Sequence, residues 1–356
     1  MASFRQTLRI VVEQGAKLSR DEARGLIAQM LAPVCDEEAP SDLEIAALLT
    51  ALAVRGETAE ELAGVAEAMR SLVVPLPLKE EERARLVDTC GTGGDGLGTF
   101  NISTGAALVA VAAGAHIAKH GNRAVTSQCG SADVLEALGI PVTLDPEAAV
   151  ACLRATGFMF LYAPALHPAL KRVQPLRRAL GFRTIFNLAG PLTNPAGAPA
   201  QVMGVFAESK LMVAAEAMAK VGIECGLVAH GRNGMDEIAL SVTDAVLVRG
   251  RDGHPSVARV KYSPDMFGMK RAAVRELMGG ATAAENAAIL EGVFAGEKGA
   301  KRNIVVVNAA AALFVGRVAT SMEEGVRRAA EAIDSGAVRA KLKQLREFNE
   351  TVGREA

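Results

Sequence analysis

The sequence predicts an α/β protein in which a small N-terminal helical domain is joined to a larger α/β domain with a mostly parallel central sheet and flanking helices. Two patterns support this prediction. Over residues 1–75, apolar side chains recur at the spacing of one helix face behind three capping boxes. From residue 76 onwards, short apolar runs alternate with helical segments, as strands and helices do in an α/β layer. A chain of 356 residues also has the length of about two domains.

The helical domain is predicted to contain four short helices and to end near residue 75. Three of these helices begin at a capping box, in which a hydroxyl and a carboxylate bond to free backbone N–H groups at the helix start. The boxes are Ser19 with Glu22, Ser41 with Glu44, and Thr58 with Glu61. The segment 74–77 contains two prolines, which lack an amide hydrogen and cannot continue a helix. We therefore place the domain boundary there, with the α/β domain over residues 76–356.

The α/β domain is predicted from the order of its apolar runs and helical patterns. The predicted strands are Leu86-Val87, Ile117-Ala118, Val142–Leu144, Phe158–Tyr162, Val202–Phe206, Leu227–Ala229, Val246–Val248 and Ile304–Val307. The predicted helices lie at Ala106–Ala113, Ala132–Leu138 and Lys210–Val221, with one more that is capped by Asp145 and has Pro146 at its first position. The charged segment from Ser321 onwards is predicted to be helical and to cover the surface.

Composition argues against several classes of protein. Lys+Arg 39 against Asp+Glu 40 gives a formal net charge of -1, so we expect neither a nucleic-acid partner nor attraction to an anionic membrane. The five cysteines are widely spaced and form no C-x-x-C pair, which argues against a disulfide framework and a zinc site and suits the reducing cytoplasm. The longest apolar stretch, Asn303–Gly316, is shorter than the ~18 residues of a membrane helix. The N-terminus has no signal-peptide core. We therefore expect a cytoplasmic protein.

A glycine-rich loop follows the first predicted strand and matches the dinucleotide fingerprint G-x-G-x-x-G. The matching residues are Gly91, Gly93 and Gly96. A Rossmann site also requires a helix that starts inside the glycine turn and an acidic residue about 20 positions further on. Here the chain continues to Asn101 before a helix can begin, and His116 occupies the later position. A Walker loop is excluded because Leu97 stands where a lysine is required. The loop therefore indicates a different phosphate site.

The residues after the glycine turn favour an anion site at a helix start. Asp95 lies in the turn, and Asn101–Thr104 leads into a helix of small residues. Free amides at the helix start, the helix dipole and the hydroxyls of Ser103 and Thr104 suit a bound phosphate. In the simpler interpretation, one of these hydroxyls only caps the helix. Asp95 favours the phosphate site, because a carboxylate there can hold sugar hydroxyls or water on a divalent cation.

Two further polar segments also follow predicted strands. Lys119–Ser127 carries two cations, an amide and two hydroxyls, which suit a polyphosphate at the carboxyl end of a parallel sheet, although a solvated loop is the alternative. Within it, His120 is more simply a hydrogen-bonded loop histidine than a metal ligand. Gly234–Glu237 places two carboxylates side by side, either as an exposed acidic pair or as ligands of Mg²⁺. The position of this pair at a strand end favours the metal.

Together these segments resemble the anthranilate phosphoribosyltransferase family, which has the nucleoside-phosphorylase-like fold. Over nearly the whole chain the family's motifs stand in order: Gly56–Thr58, Gly91–Asp95, Phe100–Thr104, Lys119–Arg123, Gly130–Asp133, Arg183–Asn187, Gly190–Leu192 and Gly234–Glu237. The resemblance implies transfer of the phosphoribosyl group of phosphoribosyl pyrophosphate (PRPP) to the amine of anthranilate in tryptophan biosynthesis, with release of pyrophosphate. It also implies a homodimer and a helical domain joined by the segment around 165–195.

The resemblance further implies roles for individual residues. PRPP would be bound by Gly91, Gly94, Asp95, Thr99, Asn101, Ile102, Ser103, Thr104, Lys119, His120, Gly121, Asn122, Arg123, Ala124, Val125, Thr126, Ser127 and Ser131. Anthranilate would contact Gly91, Asn122 and Arg177, with Arg178 as the alternative to Arg177. Two Mg²⁺ ions per subunit would be held, one by Ser103 and Glu237 and the other by Asp236 and Glu237. No catalytic side chain is implied, because a neutral aromatic amine needs alignment and the leaving diphosphate needs cations.

Two rival interpretations stay open. A relative of the pyrimidine-nucleoside phosphorylases would share the fold but bind inorganic phosphate and a nucleobase, whereas Asn101–Thr104 and the pair Asp236-Glu237 favour diphosphate and metal. A non-catalytic relative that binds nucleic acid is disfavoured by the near-zero net charge. The sequence departs from the family pattern at Gly105, Asn233 and Gln128-Cys129, and none of these departures removes an implied contact.

Overall fold

The computed structural model describes residues 3–32, 39–124, 128–251 and 254–355. Its helices are α1 (Phe4–Gln14), α2 (Arg20–Leu31), α3 (Asp42–Arg55), α4 (Ala59–Arg70), α5 (Glu80–Arg83), α6 (Ile102–Ala112), α7 (Ser131–Ala137), α8 (Pro146–Thr156), α9 (Ala163–Leu166), α10 (Gln174–Leu180), α11 (Ile185–Ala189), α12 (Leu211–Lys220), α13 (Ala283–Phe294), α14 (Ala300–Val315), α15 (Met322–Asp334) and α16 (Ala337–Glu355). Its strands are β1 (Leu86–Gly91), β2 (His116–Gly121), β3 (Phe158–Tyr162), β4 (Ala200–Gly204), β5 (Cys225–Gly231), β6 (Thr243–Arg251) and β7 (His254–Tyr262).

The four N-terminal helices form as the sequence predicts, and all three predicted capping boxes are confirmed. Glu61 in the third box is fully buried and does more than cap α4. Its carboxylate pairs with Arg55 and accepts hydrogen bonds from the backbone of Leu18 and Thr58, at 2.8 and 2.9 Å. This one side chain therefore joins the starts of α2 and α4 to the end of α3.

The helical bundle packs against the rest of the chain through a shared apolar core. α4 contacts α11 and α12, and its buried residues cluster with Val173, Ile185 and Phe186 from the 165–195 region. The same cluster reaches the sheet through Met203 and Val228. The polar side chain of Arg70 crosses this boundary and donates to the carbonyls of Leu192 and Val221, at 2.7 and 2.8 Å. The bundle is thus attached to one face of the sheet.

Among the described residues, the central sheet has seven strands in the order β3-β2-β1-β4-β5-β6-β7. The five strands from β3 to β5 are parallel, and β6 and β7 are added antiparallel at one edge. α6 and α14 lie on one face of the sheet, where α13, α15 and α16 complete the cover, and α12 lies on the other face with the helical bundle. The predicted α/β class, with a helical N-terminal part and a mostly parallel sheet, is therefore confirmed. Within the described residues, the chain has no helix of the length and hydropathy that crossing a membrane requires.

Two predicted strands are wrong. Val142–Leu144 pairs with no strand in the part of the chain that the structure describes, because β3 occupies the place beside β2 and Pro141 has no N–H for a ladder. Val142 is instead buried against the core. Ile304–Val307 belongs to α14, whose residues are buried on nearly every side between the sheet and α15. A short apolar run in a helix buried all round has the same pattern as a buried strand.

The sequence prediction also missed β7. This strand lies at the edge of the sheet. Five of its eight side chains from 255 onwards are exposed, three of them polar, and Val257 and Val260 are only half-buried. The apolar alternation that identifies a strand is therefore weak there. The C-terminal helices, by contrast, form as predicted and cover α6 and α14.

Replacing Glu61 with alanine is expected to lower the free energy of unfolding by about 3–5 kcal/mol, because the change removes one partner of a buried ion pair and leaves two backbone N–H groups without an acceptor. Urea unfolding followed by circular dichroism measures the loss. Glu60→Ala is the matched control, since Glu60 is half-exposed and pairs with Lys220 at the surface, so the expected loss is below about 1 kcal/mol. Equal losses in the two variants would contradict the assigned role of Glu61.

Candidate functional site

Three polar loops meet at the carboxyl-terminal edge of the sheet, where β1, β2 and β5 end at Gly91, Gly121 and Gly231. The glycine loop reaches the loop after β5 through a hydrogen bond from the Gly93 N–H to the Asp236 carboxylate, at 2.9 Å. Lys119 on β2 reaches the start of α6, where its ammonium lies 3.4 Å from the Ser103 hydroxyl. The structure thus brings together the three segments that the sequence singled out.

The glycine loop has a backbone that only glycine adopts without strain. Gly93, Gly94, Gly96 and Gly98 have φ of 67°, 76°, 72° and 68°. Within the turn, the Asp95 carboxylate accepts a hydrogen bond of 3.0 Å from the Leu97 N–H. Gly91 has a separate reason to be glycine, because a Cβ there would lie 2.7 Å from the Asp236 carboxylate. The loop is therefore shaped by close approach to acidic groups as well as by its turns.

The start of α6 has the features of an anion site. The helix begins at Ile102 with Asn101 as its N-cap residue. Ser103 and Thr104 therefore lie inside the first turn and neither is the N-cap, so the simpler interpretation of these hydroxyls is wrong. The Asn101 amide nitrogen donates to the Cys129 carbonyl at 3.0 Å, while its buried oxygen has no partner among the described residues. Ile102 and Thr104 are buried, so these two residues offer the site mainly backbone amides. Gly105 is required for packing, because a Cβ there would lie 2.6 Å from Leu290.

Lys119 is a buried cation at the centre of the site, with an exposed fraction of 2%. Its ammonium contacts the carbonyl of Thr89 and lies 3.5 Å from the Thr89 hydroxyl. Burial lowers the pKa of Lys119, while the carboxylates of Asp88 and Glu237 act in the opposite direction. Its burial away from water favours an anionic ligand beside it, because such a ligand would stabilise the charged form of the ammonium.

The acidic side chains of the site repel one another. Burial, and then the neighbouring Asp95, raise the pKa of Asp236, and burial together with Asp236 raises the pKa of Glu237. Lys119 and the backbone amide of Ser103 oppose the shift at Glu237. A bound cation would relieve this repulsion.

The oxygen donors present fit Mg²⁺ in particular. Asp236, Glu237 and the Ser103 hydroxyl are hard oxygen ligands, which Mg²⁺ prefers. Within the described ranges, no three His, Cys, Asp or Glu side chains form a ready-made metal site. Mg²⁺ is commonly held by one or two carboxylates, with substrate phosphate and water completing its coordination.

The loop after β2 is fixed by hydrogen bonds to the carboxylate of Asp133 on α7. One Asp133 oxygen accepts hydrogen bonds from the N–H groups of Ala124 and Gly130, both at 2.9 Å. Ser131 donates from its hydroxyl to the Asn122 carbonyl at 3.2 Å, and a Cβ at Gly121 would collide with that hydroxyl. The predicted PRPP contacts Val125, Thr126 and Ser127 lie outside the described residues.

Two predicted PRPP residues, His120 near the end of β2 and Arg123 in the loop after it, also have partners within the protein. Arg123 is exposed and pairs with Asp133 and Glu136 of α7, at 3.1 and 2.6 Å. His120 lies on the sheet face opposite Lys119, where its imidazole is 3.2 Å from that of His167. Burial lowers the pKa of His120 to about 3 and that of His167 to about 4, so both rings are neutral at pH 7. The interpretation of His120 as a hydrogen-bonded histidine agrees with this geometry, but the residue lies on β2 and not in the loop that follows.

The two arginines of α10 differ in their surroundings. Arg177 is half-buried with its guanidinium 5.5 Å from the Phe186 ring centre, and burial lowers its pKa. No carboxylate of the described residues lies within ion-pair distance of Arg177. Arg178, by contrast, is exposed. Arg177 is therefore the better prepared of the two to receive a carboxylate ligand.

Several contacts that shape the site were missed by sequence reasoning. Arg183 stacks over Phe206 at 4.2 Å and donates to the Gly94 carbonyl at 2.8 Å, which ties the 165–195 region to the glycine loop. A strap at residues 277–280 lies beside the same loop, with Thr99 bridged to Met278 and the Gly279 N–H bonded to Gly98 at 2.9 Å. Arg183 is the first residue of the family motif Arg183–Asn187, and that position is a signal that could have identified it.

The loop after β5 lies directly on β4. A Cβ at Gly204 would lie 1.5 Å from the Asp236 carbonyl oxygen, so the backbone of the acidic pair rests on this glycine. With amides, a buried ammonium and carboxylates facing one volume, the arrangement can hold a polyphosphate together with a divalent cation.

Comparison with known proteins places the chain among enzymes of one family. It matches the glycosyl transferase family a/b domain over residues 83–339 and the helical bundle domain of the same family over residues 5–73. The anthranilate phosphoribosyltransferase of Pelotomaculum thermopropionicum is 47% identical over 337 residues, which are 95% of this chain and 94% of that protein.

Solved structures agree. The crystal structure of anthranilate phosphoribosyltransferase from Thermus thermophilus superposes with a TM-score of 0.87 at 39% identity, covering 98% of this chain and 100% of that one. The Saccharomyces cerevisiae enzyme in complex with PRPP and Mg gives a TM-score of 0.84 at 26% identity, covering 98% of both chains. Since the identity to the Pelotomaculum protein is 47% across 95% of this chain, the chain belongs to the anthranilate phosphoribosyltransferase family.

Proposed function

We propose that this chain transfers the phosphoribosyl group of PRPP to the amine of anthranilate, giving N-(5-phosphoribosyl)anthranilate and pyrophosphate in tryptophan biosynthesis. The observation that carries the proposal is the contact between loops. The acidic pair Asp236-Glu237 lies near the start of α6 and the buried Lys119. It is joined to the glycine loop by a hydrogen bond of 2.9 Å from the Gly93 N–H to the Asp236 carboxylate. Amides and an ammonium for phosphate, beside carboxylates for a cation, are the features that a metal-bound diphosphate requires.

The donor is held by the groups that line this edge of the sheet. Lys119, the Ser103 hydroxyl and the free amides of α6 bind phosphate oxygens, and Gly91, Gly94 and the other glycine-loop amides bind the diphosphate. Asp95 and Asn101 receive ribose hydroxyls or metal-bound water, with Thr99, Ser131 and the Gly121–Ala124 backbone completing the pocket. Val125, Thr126 and Ser127 keep their proposed role in this set, and so do His120 and Arg123, which also have partners within the protein.

Mg²⁺ is the proposed cofactor, with two ions per subunit. Ser103 and Glu237 hold one ion, and Asp236 and Glu237 hold the other. When bound, the ions neutralise charge that develops on the leaving pyrophosphate. The residues of the chain contribute alignment and a fixed electrostatic field, and we assign no covalent nucleophile.

The acceptor lies between the glycine loop and α10 in this proposal. Arg177 pairs with the carboxylate of anthranilate, and Gly91 and Asn122 contact the ring or its amine. Arg177 is suited to this role because its guanidinium is half-buried against Phe186, where a carboxylate would gain a strong, charge-assisted bond. Its neighbour Arg178 is exposed to solvent.

We further propose the domain division at residues 75 and 76, with the 165–195 region completing the helical domain, since both pack in one core. Exposed apolar residues on the bundle support a homodimer, notably Leu43 and Val54 at 83% and 84% exposure. The four cysteines of the described residues are all unpaired, which supports a cytoplasmic location.

The reaction is tested by the fluorescence of anthranilate. Adding PRPP and Mg²⁺ to the protein and anthranilate is expected to abolish the acceptor's fluorescence, and the same mixture with excess EDTA is expected to show no change. Inorganic phosphate with a pyrimidine nucleoside serves as the alternative substrate pair. Turnover of that pair, without any loss of anthranilate fluorescence in the first mixture, would reject the proposed function in favour of a nucleoside phosphorylase.

Asp236→Asn and Glu237→Gln are expected to lower kcat by about 100-fold, or about 2.7 kcal/mol in the activation barrier, because each removes a charged metal ligand. Neither change is expected to lower the thermal midpoint, since each relieves repulsion between carboxylates. Steady-state kinetics and thermal unfolding measure the two effects. Asp265→Asn, at an exposed residue that pairs with Arg271, is the control. A parallel loss of stability and activity would assign the acidic pair a structural role instead.

Arg177→Ala is expected to raise the KM for anthranilate by about 10-fold or more while the KM for PRPP changes little, because the change removes one charge-assisted bond to the acceptor. The adjacent variant Arg178→Ala is the matched control and is expected to behave as the wild type. Initial rates with each substrate varied in turn provide both constants. If the Arg178 variant showed the larger effect, the acceptor contact would have to be moved by one residue.

A further inference from the structure

The loop that carries Asp236 and Glu237 must hold two repelling carboxylates in place before any cation arrives. Its backbone is anchored at three points. The Gly231 N–H donates to the Met235 carbonyl at 2.9 Å, the Asp236 backbone rests on Gly204, and Ile238, the residue after the acidic pair, is bound by a side chain from α14. The first two anchors come from the adjoining strands of the sheet. The third comes from the opposite side, across the core.

That side chain is Asn308, which is buried with an exposed fraction of 3%. Its amide oxygen accepts a hydrogen bond from the Ile238 N–H at 3.0 Å, and its amide nitrogen donates to the Ile238 carbonyl at 2.9 Å. The second amide hydrogen bonds to the Ile304 carbonyl within α14, also at 2.9 Å. The amide therefore holds both backbone groups of Ile238, as a neighbouring strand would, and is itself fixed by its own helix.

This geometry acts on Glu237 because the Ile238 N–H belongs to the peptide unit that joins the two residues. Fixing that peptide plane fixes the backbone direction from which the Glu237 side chain leaves. On the next residue, the Ala239 N–H donates to the buried Thr243 hydroxyl at 3.0 Å, so the chain after the acidic pair is held in a second place. The carboxylate of Glu237 thus stays beside Lys119 and Ser103 although Asp236 repels it.

We propose that Asn308 is a positioning residue, which holds Glu237 in the orientation that binds Mg²⁺ with the donor substrate. The proposal rests on the function proposed above. Groups that orient a metal ligand without touching the metal commonly change its affinity by 10- to 100-fold when they are replaced. In the alternative, Asn308 serves only to satisfy buried backbone groups of α14 and the core, and its loss changes stability alone.

The test compares Asn308→Ala with Leu313→Ala. Leu313 lies on the same helix and is fully buried, and in the described residues it forms no hydrogen bond with the acidic loop. Its truncation therefore destabilises the core without releasing Ile238. Thermal unfolding first establishes the loss of stability in each variant. Mn²⁺ binding is then titrated by electron paramagnetic resonance in the presence of PRPP and without anthranilate, which measures the metal site without turnover.

We expect Asn308→Ala to weaken Mn²⁺ binding by about 10-fold and to raise the Mg²⁺ concentration for half-maximal rate by a similar factor, with the KM for anthranilate unchanged. Leu313→Ala is expected to bind Mn²⁺ as the wild type does. Wild-type Mn²⁺ affinity in Asn308→Ala would overturn the proposal. If the alanine variant does not fold, Asn308→Asp replaces it, since it keeps the acceptor for Ile238 but loses both donated bonds, and the same criterion applies.

The wild-type protein separates this proposal from the one on which it rests. If wild-type protein neither binds Mn²⁺ with PRPP nor consumes anthranilate, the proposed function fails and the role of Asn308 fails with it. If the wild type does both and Asn308→Ala binds Mn²⁺ equally well, only the role of Asn308 is rejected.

Discussion

Parallel pairing of the central strands is the constraint on which the rest of the structure depends. Because parallel strands all run the same way, their carboxyl ends lie at one edge of the sheet, and the ladder sets those ends level: Gly91 pairs with Gly204, and Gly204 pairs with Ala229. Loops that are far apart in sequence therefore meet in space. The glycine loop, the Lys119 segment and the acidic pair form one site because the strands before them lie side by side in one sheet.

The site that results contains several ionisable side chains, which the fold holds close together before any ligand binds. Lys119 is nearly inaccessible to water, and burial and like charge disfavour ionisation of Asp236 and Glu237. Such groups would rearrange on a flexible loop. Here the start of α6 lies on one side of the acidic pair, and the Asn308 amide holds the backbone of Ile238, the residue after the pair, on another side. The order of the strands brings the three loops of the site close together, and buried amide groups of the surrounding helices hold those loops in place.

Local chemistry made much of this arrangement predictable from the sequence. Capping boxes, Asp145 followed by Pro146, and polar segments placed directly after apolar runs each involve residues within a few positions of one another. The errors have the opposite origin. Ile304–Val307 is apolar on every side because α14 is buried between the sheet and α15, and this burial cannot be read from the local pattern. β7 is an edge strand whose exposed side chains show little apolar alternation. In the site, the contacts of Arg183 with Gly94 and of Asn308 with Ile238 join residues 89 and 70 positions apart, and no spacing rule connects them.

Gly204 limits how this chain can diverge. The peptide of Asp236 lies where any side chain at residue 204 would begin, so even the smallest substitution would push the acidic loop off the end of β4. The neighbouring positions Met203 and Val205 are buried in an apolar core, where other hydrophobic residues of similar volume are tolerated. In a library randomised at residues 203–205 and selected for growth without tryptophan, residues 203 and 205 would therefore vary among hydrophobic side chains while residue 204 would stay glycine.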